Sequence, residues 1–246
     1  MRKYSSLFLD FDGVICDSVV ECFSSSWYAY FHEYLGLPVS SMNIADKPRY
    51  RRLRPMVRNS EDNVVVQHVI FKNIGIQSQA DFDAVTSELG AEELKKMRKC
   101  FYDTRDFFLS EYRNFWLALN RLFPELLEPV RRVSHIPSVY ILSTKKPAFI
   151  GEILKYNKID WDSARILEAR GRDKPDIIDE VIRREGFPDA VFIDDQIDHI
   201  KNNQHPHITC CLAEWGYVSE AGMQDFSVPH ISIADCARLI ENFREK

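Results

Sequence analysis

The stretch Ser5-Ser6-Leu7-Phe8-Leu9-Asp10-Phe11-Asp12-Gly13-Val14 carries an apolar run into two carboxylates two residues apart, followed by a glycine. Leu7, Phe8, Leu9 and Phe11 offer apolar side chains to both faces, the pattern of a strand buried between helices, and that puts Asp10 at the strand's C-terminal edge. Open parallel sheets carry their ligand crevices at that edge. Side chains at i and i+2 point to the same side of a strand, so Asp10 and Asp12 face one ligand if the chain bends after Phe11, and Gly13 permits the bend. Two carboxylates this close repel, and a hard divalent cation such as Mg2+ would neutralise them. The plain alternative is a turn whose aspartates only cap or solvate the chain.

Working outward, 246 residues suffice for one large domain or for a core with an inserted one. A hydrophobic content of 45% with 28% charged residues indicates a globular protein. The net charge of -5 gives no electrostatic reason to expect a nucleic-acid partner. No apolar stretch approaches the roughly 20 residues that span a bilayer, so no membrane partner is expected. The basic start Met1-Arg2-Lys3 is followed by too short an apolar run for a signal region and reads as the lead into the first strand. Six cysteines without a Cys-x-x-Cys spacing read as reduced thiols of a cytoplasmic protein.

Both ends of the chain look α/β and the middle looks helical, as expected of a core interrupted by an insertion. Apolar residues recur at helical spacing over Val19 to Leu35, Asn63 to Asn73, Ala80 to Glu88, Ala91 to Tyr102 and Asp106 to Phe123. The pattern changes after Pro129. Val139-Tyr140-Ile141-Leu142 is a strand run ending in Ser143-Thr144, with Pro147 where a helix begins. A weaker strand covers Ala164 to Leu167, and Lys174-Pro175 opens an amphipathic helix to about Arg184. Ala190-Val191-Phe192-Ile193 is a strong strand ending in Asp194-Asp195. His207 to Leu212 and Ile231 to Ile233 read as further strands, and Ala234 to Arg244 as a terminal helix. Three apolar runs thus end in carboxylates, hydroxyls and an acidic cluster, with a lysine between the last two. A nucleophile, an acid/base, a cation and hydrogen-bond donors are what phosphoryl transfer needs.

The ordered set Asp10-Phe11-Asp12-Gly13-Val14, Ser143-Thr144-Lys145-Lys146-Pro147, Lys174-Pro175 and Asp194-Asp195-Gln196-Ile197-Asp198 resembles the four motifs of the haloacid dehalogenase-like hydrolase superfamily. Asp-Gly-Val near the start and Thr144-Lys145-Lys146-Pro147 make it most similar to phosphoglycolate-phosphatase-like members. The resemblance implies an α/β fold with a Rossmann-like three-layer core and a mainly parallel sheet over 1–17 and 130–246, and an all-helical cap inserted at 18–129. It implies a Mg2+-dependent phosphatase that hydrolyses a small phosphorylated metabolite through an aspartyl-phosphate. Asp10 would be the nucleophile and Asp12 the general acid and then base; dehalogenase members lack an aspartate at the latter position. Thr144 is favoured for the hydroxyl that binds the phosphoryl group, because Pro147 then falls into register, with Ser143 as the competing choice. Lys174 would neutralise Asp10 and the phosphate together. Asp194 would hold Mg2+ with the Asp10 carboxylate and the Asp12 backbone carbonyl, and Asp195 or Asp198 would position metal-bound water. Ile193 stands where the family has a small residue, a departure that bears on the local packing. A phosphomutase would use the same motifs, and a relative kept for binding or regulation would keep the fold without turnover.

Specificity is expected from the insertion. Its segment Arg49 to Arg58 carries five arginines, of which Arg51 and Arg54 are candidates to hold a carboxylate or a second phosphate; the plain reading is a solvated segment paired with nearby acids. The aromatic residues of the insertion read as its core. Trp215-Gly216-Tyr217 follows a strand and is a candidate border of the cleft. His199, His205 and His207 lack the spacing of a zinc site and are expected in a surface loop.

Overall fold

The computed structural model describes residues 3–38 and 42–243. Met1 and Arg2 of the basic start, and Arg244 of the expected terminal helix, lie outside the described residues. Chain contacts divide the protein into two units, Met1–Asp17 with Arg121–Lys246, and Ser18–Asn120.

The first unit is built on six parallel strands, β1 (Ser6–Leu9), β4 (Val139–Ser143), β5 (Ile166–Glu168), β6 (Ala190–Asp194), β7 (Ile208–Ala213) and β8 (His230–Ile231), in the order β5-β4-β1-β6-β7-β8. Every residue of β1, β4 and β6 is buried, because central strands of a parallel sheet are covered on both faces. Ile193, which breaks the expected small-residue pattern, is fully buried in β6, and its carbonyl accepts from the Asp10 backbone N–H at 2.9 Å. Register sets the site: Leu9 pairs with Ile141 on one side and with Ile193 on the other. Asp10, Asp194 and Ser143 therefore leave three adjacent strands at nearly the same level of one sheet edge.

Between strands run α6 (Pro124–Val133), α7 (Pro147–Tyr156), α8 (Lys174–Glu185) and α9 (Glu220–Met223), and α10 (Ile233–Glu241) follows β8. Pro147 and Pro175 stand in the first turns of α7 and α8, where a missing N–H costs nothing. Gly186 ends α8 in the left-handed conformation at φ 74°. Ile233 belongs to α10 and not to the preceding strand, because Ser232 caps the helix by accepting from the Asp235 N–H.

The second unit contains α1 (Val19–Tyr28), continued by a π-helical stretch Ala29–Tyr34, then α2 (Lys47–Leu53), α3 (Asp62–Phe71), α4 (Gln79–Glu111) and α5 (Arg113–Leu119). The two helices read around Glu88 and Ala91 are one element broken at Gly90, whose φ of 78° and ψ of 165° are not helical.

The sequence reading returns the chain to the core at 130, whereas the contacts return it at Arg121. The cause is local pairing. Arg121–Leu122 (β3) lies antiparallel to Cys16–Asp17 (β2), and α6 packs on α10. Pro129, where the pattern changes, is buried inside α6 and removes one N–H without ending the helix.

Candidate active site

The C-terminal edge of the sheet collects the acidic and basic groups of the first unit. Lys174, at the start of α8, reaches back so that its Nζ lies 3.0 Å from Asp10 Oδ2 and 2.7 Å from Asp194 Oδ2. All three side chains are buried. The remaining carboxylate oxygens take backbone donors: Phe11 N–H donates to Asp10 Oδ1 at 2.7 Å, and Gln196 N–H donates to Asp194 Oδ1 at 2.8 Å.

The hydroxyl that bonds to the Asp10 carboxylate is that of Ser143, the last residue of β4. Thr144, favoured from the proline register, is the next residue and half-buried. Ser143 ends β4, and Thr144 and Lys145 lie in the bend beyond it, outside the alternation of the strand. Lys145 is buried, and its Nζ pairs with Asp12 Oδ1 at 2.8 Å. That role of Lys145 was not drawn from the sequence, because Lys145 meets Asp12 only once the bend after β4 folds back.

Asp195 is buried under a loop that closes on it. Tyr217 N–H donates to Asp195 Oδ2 at 2.7 Å, and a Cβ added at Gly13 would come within 2.0 Å of that oxygen. A Cβ at Gly216 would come within 2.2 Å of the Asp195 Cβ and 2.7 Å of the Gly13 carbonyl. Gly13 also needs its glycine for a φ of 86°. Trp215 Nε1 donates to the Val14 carbonyl at 3.0 Å and Tyr217 Oη to Asp17 Oδ1 at 3.0 Å, so the Trp215-Gly216-Tyr217 loop is tied to the segment after Asp12. Asp198 pairs with Lys201 on the following 3-10 turn, at 2.6 Å.

His199 is not in a surface loop apart from the site. Its Nδ1 lies 3.1 Å from Asp194 Oδ2, on the one-turn 3-10 segment Ile197–His199 that directly follows the acidic cluster. Arg51 and Arg54 belong to the helical unit. Arg51 is exposed, and Arg54 is buried where its charge acts on Tyr50. Arg49 is spent on the Ile74 carbonyl and Asn73, and Arg58 on Gln79, so the five arginines do not form one free patch.

Electrostatics divides the two central carboxylates. Burial raises the Asp10 pKa above the ordinary carboxylate range; Lys174 opposes this without cancelling it, and the nearby Asp194 charge adds to it. Burial acts on Asp194 too, but Lys174 and His199 outweigh it and hold that carboxyl below the ordinary range. Burial also disfavours charged Lys174, yet the Asp10 and Asp194 carboxylates keep it firmly protonated. Asp194 is thus a fixed charge, and Asp10 is the more easily neutralised of the pair.

The donor set suits Mg2+. The Asp10 and Asp194 carboxylates place candidate ligand oxygens within 4.8 Å of one another, and hard oxygens are what Mg2+ takes. Asp10, Asp12, Asp194 and Asp195 bring four acidic groups against the two ammoniums of Lys145 and Lys174, leaving room for a divalent charge.

No family model and no curated protein matches the sequence. Solved structures do match by shape. A candidate phosphoglycolate phosphatase from Lactobacillus delbrueckii subsp. bulgaricus superposes over 100% of both chains with a TM-score of 0.62 at 17% identity. This chain shares its fold with solved structures described as haloacid dehalogenase-like hydrolases. A haloacid dehalogenase-like family hydrolase from Streptococcus pneumoniae covers 98% of this chain and 99% of its own, with a TM-score of 0.58 at 15% identity. A second candidate phosphoglycolate phosphatase, from Haemophilus somnus, covers 97% of this chain and 99% of its own, with a TM-score of 0.62 at 14% identity. This haloacid dehalogenase-like fold places strand ends, and the side chains they carry must argue the chemistry.

Proposed function

We propose that this protein is a Mg2+-dependent phosphatase that hydrolyses the phosphate monoester of a small metabolite through an aspartyl-phosphate on Asp10. The observation that carries the reading is Lys174, a buried ammonium shared between the carboxylates of Asp10 and Asp194 at the ends of adjacent strands. A buried cation beside a nucleophilic carboxylate lets a dianionic phosphate approach without a large electrostatic penalty.

In this reading an Asp10 carboxylate oxygen attacks phosphorus and the ester oxygen departs with a proton from Asp12. A water then attacks the aspartyl-phosphate while Asp12 takes its proton back, which returns Asp10 to a carboxylate. Lys145 fixes the direction of the Asp12 carboxylate and presents an ammonium beside it. Ser143 offers its hydroxyl to the transferring group next to Asp10, with Thr144 as the neighbouring choice. Lys174 steadies both Asp10 and the incoming phosphate. Mg2+, held by Asp10, Asp194 and the Asp12 backbone carbonyl, would supply the remaining neutralisation of phosphoryl charge. Asp195 reads as a clamp on the Gly13 and Gly216 loops through which water positioning is kept in order, and Asp198 as a more remote member of the same turn.

Phosphate release from a panel of phosphorylated metabolites, with Mg2+, with Mg2+ plus EDTA, and with Asp10→Asn, tests this. Release is expected to need the metal and to fall at least about 10³-fold in Asp10→Asn while far-UV circular dichroism is unchanged. An Asp10→Asn protein that turns over at the parent rate would overturn the mechanism.

A further inference from the structure

The first half of α8 and the turn before β7 bring together Asp176, Asp179, His205 and His207. His207 Nε2 lies 2.8 Å and His205 Nδ1 3.5 Å from the same oxygen, Asp179 Oδ1. The candidate ligand atoms of Asp179, His205 and His207 all lie within 4.8 Å of one another. The other nitrogen of His205, Nε2, is 2.8 Å from Asp176 Oδ1. The Asp176 carboxylate accepts from Nε2–H, as a carboxylate orients a metal-binding imidazole, and Nδ1 is the nitrogen that faces Asp179.

The frame is built before any ion arrives. Asn203 Nδ2 donates to the Ile208 carbonyl at 2.8 Å and Asn203 Oδ1 accepts from His205 N–H at 3.0 Å, so the turn is held by its own side chain. The His207 carbonyl accepts from Ala190 N–H at 3.0 Å, which locks that residue to β6. Arg183 takes Asp179 Oδ2 at 2.8 Å and leaves Oδ1 to the histidines.

We propose that Asp179, His205 and His207 form a Zn2+-binding site, with Asp176 as the positioning carboxylate behind His205. Two imidazoles and one carboxylate are a zinc ligand set, and water completes the four positions. Mg2+ is a poor fit because it prefers oxygen ligands. The site stands apart from Asp10 and Asp194. His207 precedes β7, whose Ile208 pairs with Ala190, whereas Leu212 pairs with Asp194. Five residue rises, about 16 Å along the strand, separate His207 from the level of Asp194, and Asp179 lies five residues beyond Lys174 along α8. A bound ion would staple α8 to the start of β7.

The test uses the whole protein in excess Mg2+, which occupies oxygen sites. Zn2+ is titrated calorimetrically, and Co2+ is added as a spectroscopic probe of tetrahedral nitrogen-oxygen ligation. One equivalent is expected to bind in the parent and in Asp10→Asn alike. His205→Ala and His207→Ala should each weaken Zn2+ at least about tenfold, and Asp176→Asn by about tenfold although it does not touch the ion. Zn2+ should raise the melting temperature of the parent and leave that of the His205→Ala/His207→Ala double variant unmoved. Absence of Zn2+ binding, or binding unchanged in the histidine variants, overturns the proposal. Loss in the histidine variants with full affinity in Asp176→Asn overturns the assigned role of Asp176. Because every readout is binding or stability, the result stands independently of whether the phosphatase reading holds.

Discussion

Gly13 shows how much one residue decides at this site. Its φ of 86° lies where an L side chain is strained, and its missing Cβ leaves the space that Asp195 Oδ2 fills. Ala at this position would have to push the buried Asp195 away from the Tyr217 N–H that it accepts from. Gly13→Ala is therefore expected to cost about 2–4 kcal/mol, the sum of left-handed strain and overpacking. Denaturant unfolding measures it, and a midpoint equal to the parent's would show that the loop relaxes freely. Asp10, Asp12 and the glycine after them were legible in the sequence because their spacing along one strand end is a one-dimensional fact. Lys145 and His199 were not. Each becomes a neighbour of a carboxylate only when a turn folds back, and spacing does not report the direction of a turn.

Individual elements carry charges that hydrophobic patterning does not reveal. In the helical unit, Glu21 of α1 is fully buried and accepts from Arg105 Nε at 2.9 Å and Arg105 Nη2 at 2.7 Å, as well as from Ser25 and Trp116. Arg105→Met would leave a buried carboxylate without its cation, at a cost of about 3–5 kcal/mol. Adding Glu21→Gln should restore a large part of that stability, because the amide oxygen still serves Ser25 and Trp116. A double variant no more stable than Arg105→Met would show that the pair is not the source of the loss. At the start of α3, Asp62 accepts from the N–H groups of Arg58 and Asn59, yet burial pushes its carboxyl up to about 6. A raised carboxyl binds its proton more tightly when folded. Its stabilising share is complete below about pH 4 and is lost as pH rises through about 6, up to about 3 kcal/mol. Unfolding midpoints measured across that range should fall for the parent and fall less steeply for Asp62→Asn; equal slopes would sink the assignment. The aromatic run of this unit was read as its core, and Phe23, Trp27, Tyr30, Phe101 and Trp116 are buried there.

Across the whole molecule, five of the six thiols are buried. Cys16, Cys22, Cys210, Cys211 and Cys236 are buried and Cys100 is partly exposed, all as free cysteines. Burial pushes Cys210 up to about 12 and Cys211 to about 11, and raises Cys236 as well, so these thiols stay protonated and unreactive. Alkylation at pH 8 should label Cys100 first in the folded protein and all six in guanidinium. Rapid labelling of all six without denaturant would contradict this packing. Among the described residues no helix is long and apolar enough to cross a membrane. Sequence by itself determined the α/β ends around a helical insertion, the strand ends that carry Asp10, Ser143 and Asp194, and the helix that opens at Lys174. Those follow from periodicity and from what stands at the end of each apolar run, and both are local. Tertiary structure decided the rest. It set the return to the core at Arg121 through pairing with Cys16–Asp17, chose Ser143 as the hydroxyl beside Asp10, and turned His199 toward Asp194. It also drew His205 and His207 onto Asp179, 26 or more residues away in the chain, because helix α8 and strand β7 are neighbours only once the sheet has formed.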